Sequence, residues 1–213
     1  MFQSNVFGHL HLTRAILPFF RAQGHGCISF TSSSSAWLAL PFMSHYTMTK
    51  AALSAFAESL HKEVSPLGIR CVAFDCGGFP TRLGQPRTDN RAASFGTQES
   101  FESMAPAVPA YRPLFEKFAG MFAVNPMRLL PGEPARAAVA IVDTIKGEGL
   151  AEGRPWTVRV VLGSDSLLSA RRKRRQQLEI LDLWQHVSFS TDGRDFLEDN
   201  DMIAFTKLAG VID

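Results

Sequence analysis

The segment CISFTSSSSAWLALPFMSHYTMTK, residues 27–50, decides how the chain folds. Its first five residues, CISFT, are β-branched, aromatic and small, follow Gly-His-Gly, and predict a buried strand that is apolar on both faces. Four serines then open a polar loop. From about Ser44 the apolar residues Leu53, Phe56, Leu60 and Val64 fall on one helical face, and Pro66 and Gly68 provide the stop. Strand, loop and helix follow one another within forty residues, and the serines, Tyr46 and Lys50 lie where the strand hands over to the helix.

The pattern repeats outward. Upstream, Phe2, Val6, Leu10, Thr13 and Leu17 recur at i, i+4, i+8, i+11 and i+15, a helical stripe expected to stop at Pro18. Downstream, IRCVAFD (69–75) reads as a second buried strand and CGGFPTRLGQPRTDN as a loop. Residues 79–128 read as irregular or weakly helical and hold six of the seventeen phenylalanines. Residues 133–147 form an amphipathic helical pattern, WTVRVVLG (156–163) a third strand, and 165–184 a long charged helix, with a polar tail over 185–213. Strands separated by helices argue for parallel pairing, so the class is α/β, in one domain over residues 1–184.

Composition bounds the function. With 213 residues, 46% hydrophobic, and 22 basic against 20 acidic side chains, the chain suits one soluble domain and gives no electrostatic case for nucleic acid or an anionic membrane. Cys27, Cys71 and Cys76 form no CxxC pair, so neither a disulfide framework nor a zinc site is expected, and a reducing, cytoplasmic setting fits. No apolar run reaches the length of a membrane span, and no export signal is visible. The basic run Arg171–Arg175 is expected to be a solvated helix face, His45 a loop residue, and Cys76 a small packed residue at a strand end.

Tyr46 and Lys50 lie one turn apart at the start of a helix and so share a face. A phenol titrates near ~10, and a neighbouring ammonium stabilises its phenolate, which makes the pair an acid/base device. Ser33 ends a strand thirteen residues earlier, where its hydroxyl is placed for a substrate oxygen, and Asn5 precedes Ser33 by twenty-eight residues on the first helix.

These residues resemble the catalytic tetrad of the classical short-chain dehydrogenase/reductase family: Asn5 in NVFG, Ser33 in TSSSS, and Tyr46 and Lys50 in YTMTK, the family's YxxxK. CGGFPT (76–81) keeps the family's PGxxxT frame with cysteine for proline. The resemblance covers residues 1–165 and implies the C-terminal half of a Rossmann-like doubly wound parallel sheet, about three strands with flanking helices. It implies that Tyr46 exchanges a proton with a carbonyl or hydroxyl, Ser33 orients that oxygen, Lys50 lowers the tyrosine pKa and holds the nicotinamide ribose, and Asn5 supports a water-linked relay. Tyr46, Lys50, Gly77, Phe79 and Thr81 would contact an NAD(P) cofactor. It further implies homo-oligomers packed through the helices of Asn5 and Tyr46, and a substrate lid in 79–128. The apolar residues of that segment suit a bulky lipophilic alcohol or ketone.

The family's glycine-rich dinucleotide turn and its NNAG segment are absent. Gly24-x-Gly26 and Gly147-x-Gly149 are the only GxG pairs, and Ser29 and Glu152 stand where a third glycine belongs. The expectation is an N-terminally truncated form that does not by itself bind NAD(H) or NADP(H) usefully, with CISFT as an exposed edge. Two other readings stay open: a cofactor-independent isomerase, dehydratase or cyclase using Tyr46 and Lys50, and a non-catalytic partner subunit.

Overall fold

The computed structural model describes residues 1–81, 105–124 and 130–192. A π-helical turn at Gln3–Phe7 leads into α1 (Gly8–Gln23), followed by β1 (Gly26–Ser33), α2 (Ser44–Val64), β2 (Ile69–Cys76), α3 (Arg112–Val124), α4 (Pro134–Lys146), β3 (Arg159–Leu162) and α5 (Ser164–Phe189). The three strands form one parallel sheet in the order β1-β2-β3. The class is therefore α/β with a Rossmann-like parallel sheet, as expected.

The alternation of β2 explains the layers. Ile69, Cys71 and Ala73 face one way and pack with Leu53, Ala57, Leu60 and Val64 of α2, Phe30 of β1, and Leu17 and Phe20 of α1. Val72 and Phe74 face the other way and pack with Ala140, Ile141 and Ile145 of α4. Both faces of β2 are apolar because both are covered by helices. Each fully buried leucine or isoleucine, such as Leu53 or Ile69, contributes about 1.5–3 kcal/mol.

Two expectations need correction. Helix α1 runs through Pro18 to Gln23 and ends at Gly24, which is left-handed at φ 75° and donates to the Phe20 carbonyl at 2.9 Å. Proline removes one N–H, but Pro18 and Arg14, whose carbonyl that N–H would have reached, are both exposed, so water can replace the bond. The edge strand is also not apolar on both faces. Ile28 and Phe30 point to the α1–α2 side, whereas Ser29 and Thr31, one residue out of phase, are exposed on the other. The remaining elements match closely, except that α5 extends to Phe189. The segment read as irregular contains α3, and residues 82–104 of that segment and 193–213 of the tail lie outside the described residues.

Candidate active site

The parallel register from Gly26↔Ile69 to Ser33↔Cys76, continued by Cys76↔Leu162, makes all three strands end together. The serine loop, the N-terminus of α2 and the loop after β2 meet at that end. Ser33 is 9% exposed, and its hydroxyl accepts from the Ser35 N–H at 3.2 Å, capping the short 3-10 turn Ser34–Ala36. Tyr46 is half-buried in the first turn of α2. The Lys50 ammonium lies 5.7 Å from the Tyr46 ring centroid and donates to the Thr31 carbonyl at 2.8 Å, so the helix pair is anchored to the strand that carries Ser33. Burial lowers the Lys50 pKa from its ordinary 10.5, opposed by nearby Cys76, whose thiol burial pushes up. Cys71, fully buried in β2, is pushed up to about 12 by burial and by Cys27.

Asn5 occupies the π-helical turn, a distortion often found at functional sites. Its amide donates to the Thr49 hydroxyl at 3.2 Å, and Thr49 donates to the Tyr46 carbonyl at 2.8 Å. Asn5 thus joins the cluster through Thr49. The Gly77 N–H donates to the Leu162 carbonyl at 2.7 Å, and a side chain at Gly77 would collide with the Asp165 carboxylate, which accepts from the Gly78 N–H at 2.7 Å. Phe79 packs against Val72, Phe74 and Leu162, and Thr81 is exposed. Gly24 caps a helix and Gly26 opens a strand, the reverse of a phosphate-binding strand-to-helix turn. Gly147 likewise caps α4.

Phe42 has the left-handed φ of 64°, uncommon for a bulky side chain, four residues before Tyr46. Its ring meets Phe115 of α3 edge-on at 5.3 Å and Phe118 at 6.1 Å. This brings a helix of the expected lid segment onto the loop between Ser33 and Tyr46. Leu83, Phe95, Phe101, Met104 and the side chain of Phe122 lie outside the described residues.

One polar group was missed by sequence reasoning. Asp75, completely buried at the end of β2, accepts from the Trp37 indole at 2.8 Å, from Arg159 Nε and Nη2 at 2.9 and 2.7 Å, and from Ser54 at 3.0 Å. Ser54 bonds Ser32 at 2.7 Å, and the Ser32 hydroxyl also lies 3.2 Å from the Lys50 carbonyl, to which it can donate. An aspartate directly after the run IRCVAF, still within the strand, was the available signal.

The short chain dehydrogenase family model matches residues 1–92. Over these residues the chain is similar to short-chain dehydrogenases. An uncharacterized oxidoreductase of Bacillus subtilis is 36% identical over 89 residues, covering 42% of this chain and 32% of the relative. The NADPH-dependent 1-acyldihydroxyacetone phosphate reductase of Saccharomyces cerevisiae is 35% identical over 86 residues, covering 40% of this chain and 29% of that reductase. A short-chain dehydrogenase crystal structure from Streptomyces avermitilis superposes with TM-score 0.67 at 31% identity, covering 90% of this chain and 61% of that one. The chain spans about a third of the length of these curated relatives. Strands β1 and β2, helices α1 and α2, and Asn5, Ser33, Tyr46 and Lys50 fall within the matched residues, whereas β3 and helices α3 to α5 lie beyond them.

Proposed function

We propose that this chain is a short-chain dehydrogenase and supplies the proton-transfer site of an NAD(P)-dependent oxidoreductase that interconverts a hydroxyl and a carbonyl on a bulky lipophilic substrate. The observation that carries the reading is the Tyr46–Lys50 pair, one turn apart on α2, with the Lys50 ammonium tied to the Thr31 carbonyl two residues before Ser33. Tyr46 gives or takes the proton of the substrate oxygen, Ser33 holds that oxygen, and Asn5 stabilises the start of α2 through Thr49. A nicotinamide, when bound, supplies or accepts hydride at the carbonyl carbon. The nicotinamide end fits the residues present, because the Lys50 ammonium has donors beyond the one given to Thr31 and stands beside the Cys76–Gly77 turn. No pyrophosphate cradle occurs among the described residues, since both GxG pairs follow helices.

The lipophilic substrate class rests on the aromatic contact of Phe42 with α3, where Leu114 and Met121, and Tyr111 just before the helix, are exposed. Two copies are inferred to associate through α1, whose Leu12, Ile16 and Phe19 form one exposed apolar stripe at i, i+4 and i+7. The deciding assay is NAD(P)H-dependent reduction of a bulky aryl ketone by the chain extended upstream of Met1 with a family dinucleotide-binding half. Tyr46→Phe abolishes turnover while cofactor binding persists, and Lys50→Met weakens both. Turnover of the Tyr46→Phe protein near the parent rate would remove the proton-transfer role.

A further inference from the structure

Asp75 is neither a member of the tetrad nor an apolar core residue, yet it is wholly buried. Taking a carboxylate out of water is costly, and apolar replacements of buried ion pairs are often as stable or more so, so stability alone does not account for it. Its hydrogen bonds are distributed in a particular way. Oδ2 receives the Trp37 indole, which lies in the loop between Ser33 and Tyr46, together with the Arg159 fork from β3. Oδ1 receives Ser54, one turn beyond Lys50 on α2, and Ser54 connects through Ser32 to the Lys50 carbonyl. Trp37 is in turn held between two guanidinium groups, Arg159 at 3.8 Å and Arg174 of α5 at 4.6 Å from its ring. Glu58 of α2 completes the set with an ion pair to Arg159 at 3.3 Å. One carboxylate therefore references the loop that follows Ser33 and the helix that carries Tyr46 and Lys50 to the same point on β2.

We propose that Asp75 is a positioning residue that fixes the separation between Ser33 and the Tyr46–Lys50 pair by bonding Trp37 on one side and Ser54 on the other. The proposal rests on the reading of that site given above. Without the carboxylate, the serine loop and the first turns of α2 lose their common reference while the core beneath them is unchanged.

The test compares hydrogen exchange of the 213-residue chain with that of Asp75→Asn, an isosteric change that removes the charge and leaves one acceptor oxygen where the carboxylate has two. Exchange is expected to rise about tenfold in residues 31–38 and 46–54 and to stay within about twofold in α4. Trp37→Phe, which keeps a ring and removes only one bond, serves if Asp75→Asn does not fold, and it raises exchange in 31–38 alone. Unchanged exchange, or a uniform rise across the chain, overturns the proposal. In the reductase assay with NADPH and α-tetralone as probe, Asp75→Asn lowers kcat about tenfold with KM within about threefold. A parental kcat for Asp75→Asn beside an inactive Tyr46→Phe protein overturns the positioning role. Activity retained in Tyr46→Phe, with the local exchange signature of Asp75→Asn intact, instead overturns the reading of the site.

Discussion

The side-chain amide of Asn5 donates to the hydroxyl of Thr49 at 3.2 Å, joining the π-helical turn to the first turns of α2 across 44 residues of sequence. Thr49 is fully buried and its hydroxyl donates a hydrogen bond to the Tyr46 carbonyl. A Thr49→Val change keeps the volume and removes both bonds, leaving the Asn5 donor unpaired, and should cost about 1–3 kcal/mol. Thr49→Ser should cost less, since the hydroxyl remains. Urea midpoints of the two variants check this, and a Thr49→Val protein as stable as the parent would show that the link contributes nothing.

Arg159 pairs with Asp75 at 2.7 Å, with the carboxylate wholly buried and the guanidinium 19% exposed. Arg159→Met leaves an uncompensated charge in the core and should cost about 3–5 kcal/mol. Adding Asp75→Leu to Arg159→Met removes that charge and should recover much of the loss. A single variant within error of the parent in denaturant titration would contradict the ion-pair account.

Stability should also depend on pH through Lys50. Burial lowers its pKa below the ordinary 10.5, so the unfolded chain holds the proton more tightly than the folded one. The cost of burying the charged form is present at neutral pH and fades as pH rises through the folded pKa toward 10.5. The parent should therefore gain stability relative to Lys50→Met as pH is raised over that window. Parallel pH profiles for the two proteins would refute the assignment.

Phe19 and Leu12 on α1 are 69% and 72% exposed on one face. Phe19→Glu puts a charge on the inferred interface and should shift the association equilibrium toward monomer by at least about tenfold, equivalent to about 1.4 kcal/mol. Light scattering across a concentration series reads this out, with no change in the far-ultraviolet spectrum expected. Identical association of parent and variant would place the contact elsewhere.

Periodicity served well where one physical effect dominates. The buried face of α2, with Leu53, Leu60 and Val64, and the all-apolar β2 follow from alternation and helical spacing alone. Tyr46, Lys50 and Ser33 were legible because they are local to one strand–loop–helix unit. Pro18 was misjudged as a stop because whether a helix tolerates proline depends on solvent access to the carbonyl it abandons. The outer face of β1 was misjudged because CISFT has apolar neighbours, although strict alternation sends Ser29 and Thr31 outward. The Asp75 group could not be assembled from sequence, since Trp37 and Arg159 lie 38 and 84 positions from Asp75 and only the sheet brings them together.

The strands β1 and β2 are each eight residues long and are paired from first residue to last. Both are entered through a left-handed glycine, Gly24 at φ 75° and Gly68 at φ 76°, and the space a side chain at Gly68 would fill is taken by the Gly24 carbonyl. The two entry corners nest against each other at the end of the sheet farthest from Tyr46. Equal strand length then works as a ruler: the chain measures eight residues from a common zero, and Ser33 and Cys76 emerge level. Deleting one residue from β1 would withdraw the serine by about 3.3 Å and turn it to the opposite side of the sheet, a change in the site made entirely by editing its distance from the far corner.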